Sequence, residues 1–116
     1  MWSSDLFVPG VVVTDGRWHH LAVVLDGASG QVWVDGRRPP MYVWDGARYG
    51  ELRAQPVTLP RPPATAPRGF RLGAGNSDRG SWARSFRGEL DNLAIYGRAL
   101  SAAELRSHHR VLQVGA

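Results

Sequence analysis

From Trp18 to Leu25 the apolar side chains fall on both parities, with Trp18, Ala22 and Val24 on one and Leu21, Val23 and Leu25 on the other. Successive residues of a strand point to opposite faces, so this run is expected in the middle of a sheet with both faces largely covered. The next run, Gln31-Val32-Trp33-Val34-Asp35, is short and rich in β-formers, and the five residues Gly27 to Gln31 suit an antiparallel hairpin joining it to the first. Four Asp-Gly pairs begin at Asp15, Asp26, Asp35 and Asp45, separated by 11, 9 and 10 residues. Gly accepts positive φ and Asp bonds its own following backbone, so each pair suits a chain reversal. Turn signals at this spacing indicate a β-sandwich or barrel.

Seven of the eight prolines lie between Pro39 and Pro67. Proline donates no ladder hydrogen bond and restricts its predecessor, so residues 39–67 read as a Pro-rich insertion or long loop with short extended pieces near Met41–Trp44 and Gln55–Leu59. Phe70–Gly73 reads as a short strand and Asn76–Gly80 as a polar loop. In the run from Phe86 to Tyr96 the apolar parity is even as far as Leu90 and odd at Leu93 and Ile95. A strand changes phase only through an irregularity, which predicts a bulge or twist at Asp91-Asn92 that re-aims a carboxylate. Ser101-Ala102-Ala103-Glu104 is a capping box opening a helix over about Ala102–His109, with Leu105 its main apolar position, packed on the sandwich edge.

The chain has 116 residues, 43% hydrophobic and 21% charged, the balance of one soluble domain spanning 1–116. No apolar run exceeds the five residues Leu21 to Leu25, too short for a membrane helix. Met1–Asp5 carries neither the basic nor the apolar region of a secretory signal. Without cysteine there is no disulfide and no thiolate metal site. All 14 basic residues are Arg, giving a formal charge of +4, but they are scattered, with Arg37-Arg38 the one adjacent pair. That distribution describes a solvated surface and not a nucleic-acid-binding face.

Four blocks in order, Asp15–Ala22, Val32–Gly36, Phe86–Tyr96 and Arg98–Leu105, together resemble a laminin G-like domain of the concanavalin A-like jelly-roll superfamily. The resemblance implies an all-β antiparallel sandwich with one short C-terminal helix. Such domains usually carry several strands before the segment like Asp15–Leu25, whereas only Met1–Val13 precedes it here. The likeness is therefore to a carboxy-terminal portion, and missing strands or another chain are expected to complete the sandwich. Without them core-facing side chains such as Leu21 and Leu90 and a sheet edge are left uncovered.

Some members of this superfamily are glycoside hydrolases with a Glu-x-Asp-x-x-Glu strand. Glu89-Leu90-Asp91 imitates its first half, but Ala94 stands where the last acid belongs, and retaining hydrolysis needs two carboxyl groups. No enzyme activity is expected. His19 and His20 are adjacent on a strand and point apart, and His108 and His109 are adjacent on a helix, so neither pair has zinc-ligand spacing. His20 reads as a satisfied core histidine, and His108 and His109 as complements to a helix carbonyl end. Calcium is the candidate cofactor that the resemblance implies, with Asp91 first and Asp78, Asn76 and Asp15 after it. Asp26, Asp35 and Asp45 read as turn residues. Of the five Trp, Trp18 and Trp33 read as core, while Trp44, Tyr49 and Trp82 in expected loops are the carbohydrate-platform candidates. The reading is a non-catalytic extracellular recognition module for glycan or protein within a larger secreted protein, with a ligand-free structural spacer as its alternative.

Overall fold

A computed structural model of the protein describes residues 6–43, 47–59, 75–76, 82–83 and 86–114. These fall into two units, one built from Trp2–Pro63 and Tyr96–Ala116 and the other from Ala64–Ile95. Short antiparallel strand pairs dominate, followed by one C-terminal helix.

The larger unit is organised by the hairpin of β2 (Leu21–Asp26) and β3 (Ser29–Val34), after an initial β1 (Leu6–Phe7). The pairing runs from Leu21 opposite Val34 to Asp26 opposite Ser29, so the reversal is a two-residue Gly27-Ala28 turn, shorter than the five-residue link expected. Gly27 has φ 59° and Ala28 has no positive φ, the pattern of a type II′ hairpin turn that a side chain at position 27 would oppose. At the far end of β3 a second reversal uses Asp35 (φ 52°) and Gly36 (φ 75°), both left-handed as a type I′ turn demands. Val34 and Arg37 exchange both backbone hydrogen bonds across it, at 2.8 and 3.1 Å.

Extended pieces appear in the Pro-rich region where expected. β4 (Tyr42–Val43) pairs with β1, and β5 (Val57–Thr58) pairs with β3. This region is also stitched to the sheet. The Gln55 carboxamide accepts from the Val32 amide at 2.7 Å, donates to the Val32 carbonyl at 2.8 Å, and donates to the Pro39 carbonyl. Leu59 donates its amide to Ala28 at 2.7 Å and presses its side chain on Gly30, where an added Cβ would lie 3.1 Å from Leu59 Cδ2. Met41, Val57 and Leu59 are buried.

Helix α1 (Ala102–Val114) is longer than the eight or so residues expected. Its start is the reciprocal capping box: Ser101 Oγ accepts from the Glu104 amide at 3.2 Å, and Glu104 Oε1 accepts from the Ser101 amide at 3.0 Å. Arg98 grips the same carboxylate with both Nη atoms, at 2.9 and 2.6 Å. These contacts, the Arg98 guanidinium first, hold the Glu104 carboxyl down at about 2. Instead of resting on an edge, α1 contributes to the core: Leu105 packs with Val24 and Trp33, flanked by Ala22, Leu100 and Ala102.

Two expectations change in this unit. Among the described residues β2 is the edge of a sheet ordered β2-β3-β5, not a central strand, and Leu21, Val23 and Leu25 on one of its faces are exposed at 57%, 63% and 48%. Trp18 is exposed, because β2 begins after it and no described element covers it, while Trp33 is buried as expected. The other unit holds β6 (Gly75–Asn76) paired with β7 (Trp82–Ala83), so Asn76 and Trp82 occupy opposed strand positions and not loops. Phe70–Gly73 lies outside the described residues. Residues 86–96 form no strand, although the phase slip marks a real departure: Asn92 has φ 56°. Phe86, Leu90, Leu93 and Ile95 are exposed there.

The small core makes Leu105 decisive. Leu105→Ala should lower stability by about 2–5 kcal/mol through lost burial and a residual cavity, whereas exposed Val111→Ala should stay within about 0.5 kcal/mol of wild type, both read from urea midpoints.

Candidate functional site

The Asp35-Gly36 turn brings together the densest set of ionisable side chains among the described residues. The tight reversal places the Asp35 carboxylate at the entrance to β2. There Oδ1 accepts from the His20 amide at 2.9 Å, and the Asp35 amide donates back to the His20 carbonyl at 2.9 Å. Oδ2 lies 2.7 Å from His19 Nδ1. The other nitrogen of that ring, Nε2, lies 2.7 Å from Asp15 Oδ1, and Asp15 also accepts from the Arg17 amide at 3.1 Å. The sequence from Asp15 to His19 spans four residues through the bend at Gly16 (φ 78°), which lets the carboxylate fold back on the ring.

Both His19 nitrogens face carboxylate oxygens, and ionised carboxylates accept only, so the two bonds form together when the ring carries both protons. The hydrogen bond to Asp35, then that to Asp15, raises the His19 pKa above its usual value. Reciprocally, His19 and the Arg17 amide lower Asp15. For Asp35 partial burial works upward, but the His19 ring, the His20 amide and nearby histidine charge outweigh it and the carboxyl is lowered. His20 moves the other way from His19: burial, then the charges of His109 and His108, lowers it, with Asp35 opposing. It is half-buried, yet its Nδ1 has no partner, so it is not the satisfied core histidine the strand pattern suggested.

Asp15 is committed to His19. Asp91 is exposed and its Oδ1 accepts from the Asn92 amide at 2.7 Å, an arrangement that closes a local turn and turns no carboxylate inward. Asn76 and Trp82 face each other across the β6–β7 pair. Tyr49 is 48% exposed, with its ring 6.2 Å from that of Tyr42 at an angle of 60°. Trp44 and Asp78 lie outside the described residues. Among the described residues no group of three or more His, Cys, Asp or Glu side chains is arranged to hold a metal ion. His108 and His109 sit in the middle of α1 and not at its carbonyl end, because the helix continues to Val114.

Sequence reading missed Asp35 and His109 as partners. The Asp-Gly signal at 35 fully explained a turn and so concealed the second use of its carboxylate.

No protein-family model and no curated protein matches the chain. Among solved structures the chain is similar to an S-layer domain-containing protein from Clostridium thermocellum, known from a 2.1 Å crystal structure, with a TM-score of 0.60 at 23% identity. The match covers 86% of this chain but only 42% of that one, and at this identity the likeness is one of fold. The resemblance to laminin G-like domains therefore stands without a family match; what the structure carries is a strand-rich fold with a small antiparallel sheet and a C-terminal helix.

The signs of the His19 shifts predict a pH dependence. A raised histidine pKa contributes stability that is complete below the unfolded value of 6.5 and is lost as pH rises through the folded value. The lowered Asp15 and Asp35 contribute stability present above 3.8 and lost as pH falls through their folded values. The melting-temperature gap between wild type and His19→Gln should therefore shrink as pH is raised from about 6 to about 9. A gap that widens or holds constant over that range would contradict the bridge.

Proposed function

We propose that the chain is a non-catalytic module of an extracellular, cell-surface protein, acting through contact with other β-structure rather than through chemistry. The likeness of fold to the S-layer domain-containing protein carries this reading, and the matched stretch is less than half of that longer chain. Within this chain the support is β2. It is an edge strand among the described residues, with Leu21, Val23 and Leu25 exposed in a row on one face. Open ladder groups beside an apolar row favour addition of another strand. In this reading the occupant is an antiparallel strand of the same surface protein, apolar on alternate residues, which pairs with β2 and covers that row. Binding at an exposed aromatic surface for glycan is the second reading, favoured by the Tyr49 ring beside Tyr42.

Two measurements test these readings. Protease shaving of intact host cells should release peptides of this chain, and recovery only after lysis would overturn the surface assignment. The isolated chain should enhance the fluorescence of an apolar dye, and Val23→Lys should reduce that signal several-fold, on the order of the loss of one exposed apolar patch. Equal, weak signals from both proteins would remove the strand-addition surface. For the second reading, Tyr49→Ala should reduce retention on a polysaccharide affinity gel. Equal retention of both proteins would eliminate it.

A further inference from the structure

His20 and His109 belong to different elements, the approach to β2 and the middle of α1, and their rings stack with centroids 6.1 Å apart and planes inclined by 26°. His109 also lies directly on the Asp35-Gly36 turn: a Cβ at Gly36 would come within 2.9 Å of His109 Nδ1, so the absence of a side chain there admits the ring. Three stretches of chain therefore meet at this stack. Its charged surroundings are known from each side. From the helix comes His108, whose ring is 5.7 Å from that of Tyr96. From the turn comes Asp35, and from the approach to β2 come His19 and, beyond it, Asp15.

Asp35 is the carboxylate nearest the stack, and each of its oxygens already accepts one hydrogen bond. Oδ2 serves His19 and Oδ1 serves the His20 amide. His109 Nε2 is 3.9 Å from Oδ1, too far for a hydrogen bond but within ion-pair distance. The buried His20 Nδ1 has no hydrogen-bond partner among the described residues.

We propose that this stack is an acid-sensitive latch, in which proton uptake by His20 puts a charge on a half-buried ring that has no partner at Nδ1 and is stacked on His109, and so releases α1 from the β2–β3 hairpin. A proton on His20 Nδ1 would create a buried donor with nothing to receive it, and its charge would face those of His109 and His108. The downward shift of His20 by burial and by its two histidine neighbours agrees with that cost. Release would uncover Leu105, Val24 and Trp33, the cluster that joins helix to hairpin. His19 contributes in the opposite direction, since its imidazolium is stabilised by two carboxylates, so total stability alone does not isolate the latch.

The test compares amide hydrogen exchange in the helix with exchange in the hairpin at one pH, then repeats the ratio at another. Between about pH 7.5 and about pH 5 histidines titrate and ordinary carboxylates remain ionised. In wild type, protection of the Leu105 to Leu112 amides relative to Val23 and Val32 should fall by about tenfold or more on acidification. His20→Gln and His109→Gln should each suppress that fall, and the double variant should add nothing further. Should His20→Gln fail to fold, His109→Gln decides alone. An unchanged ratio in wild type, or a wild-type response in His109→Gln, would overturn the latch.

Discussion

The carboxylate of Asp35 accepts from a backbone amide of the chain entering β2 and from an imidazolium held by a second acid, while its own residue makes half of a left-handed turn. These roles depend on one another. The type I′ geometry points the side chain back along the hairpin, and that direction brings it to His19 and His20. The next residue must also be left-handed, and glycine there opens the space that His109 fills. A turn residue thus couples the loop before β2, the hairpin and the helix. Replacing the turn by a longer loop would loosen all three at once, even if β2 and β3 still paired.

The hairpin is covered unequally. On the face of Val24 and Trp33, Leu105 and its neighbours supply a dry contact, while Arg38 and Arg106 lie over the Trp33 ring at 5.3 and 5.8 Å from its centroid. The guanidinium groups favour the electron-rich face of the indole and screen its edges from water. Leu21, Val23 and Leu25 on the other face meet no comparable cover. Burial of so few apolar side chains leaves α1 as the main support of the hairpin, which is why polar contacts at its start and along its length matter out of proportion to their number.

Local chemistry was the legible part of the sequence. Gly27, Gly36 and the Ser101–Glu104 box each specify a backbone conformation through their own residues, and the turns and the helix start lie where those signals stand. The alternation at Leu90 to Leu93 located the left-handed Asn92, but not the absence of a strand around it. A strand needs a neighbour, and a pattern records only the faces a segment could bury. The same limit explains β2: its apolar residues on both parities describe a central strand, and only the pairing partners decide whether it becomes one. The candidate site was harder still. Asp15 and Tyr49 were named for ligands, yet Asp15 serves His19, and the joining of Asp35 to His109 spans a distance in sequence that no local signal bridges.

Gln55 completes the ladder beyond β5 by substituting a side-chain amide for a peptide group, returning both hydrogen bonds of Val32 and a third to Pro39. A Gln55→Glu substitution would replace its NH2 with an oxygen that cannot donate. Two carbonyls would then confront a carboxylate, and the region between Pro39 and Leu59 would lose its seam with the sheet. One neutral side-chain amide thus does for the proline-rich segment what a peptide group does inside a ladder, and no charged side chain of the same length could take its place.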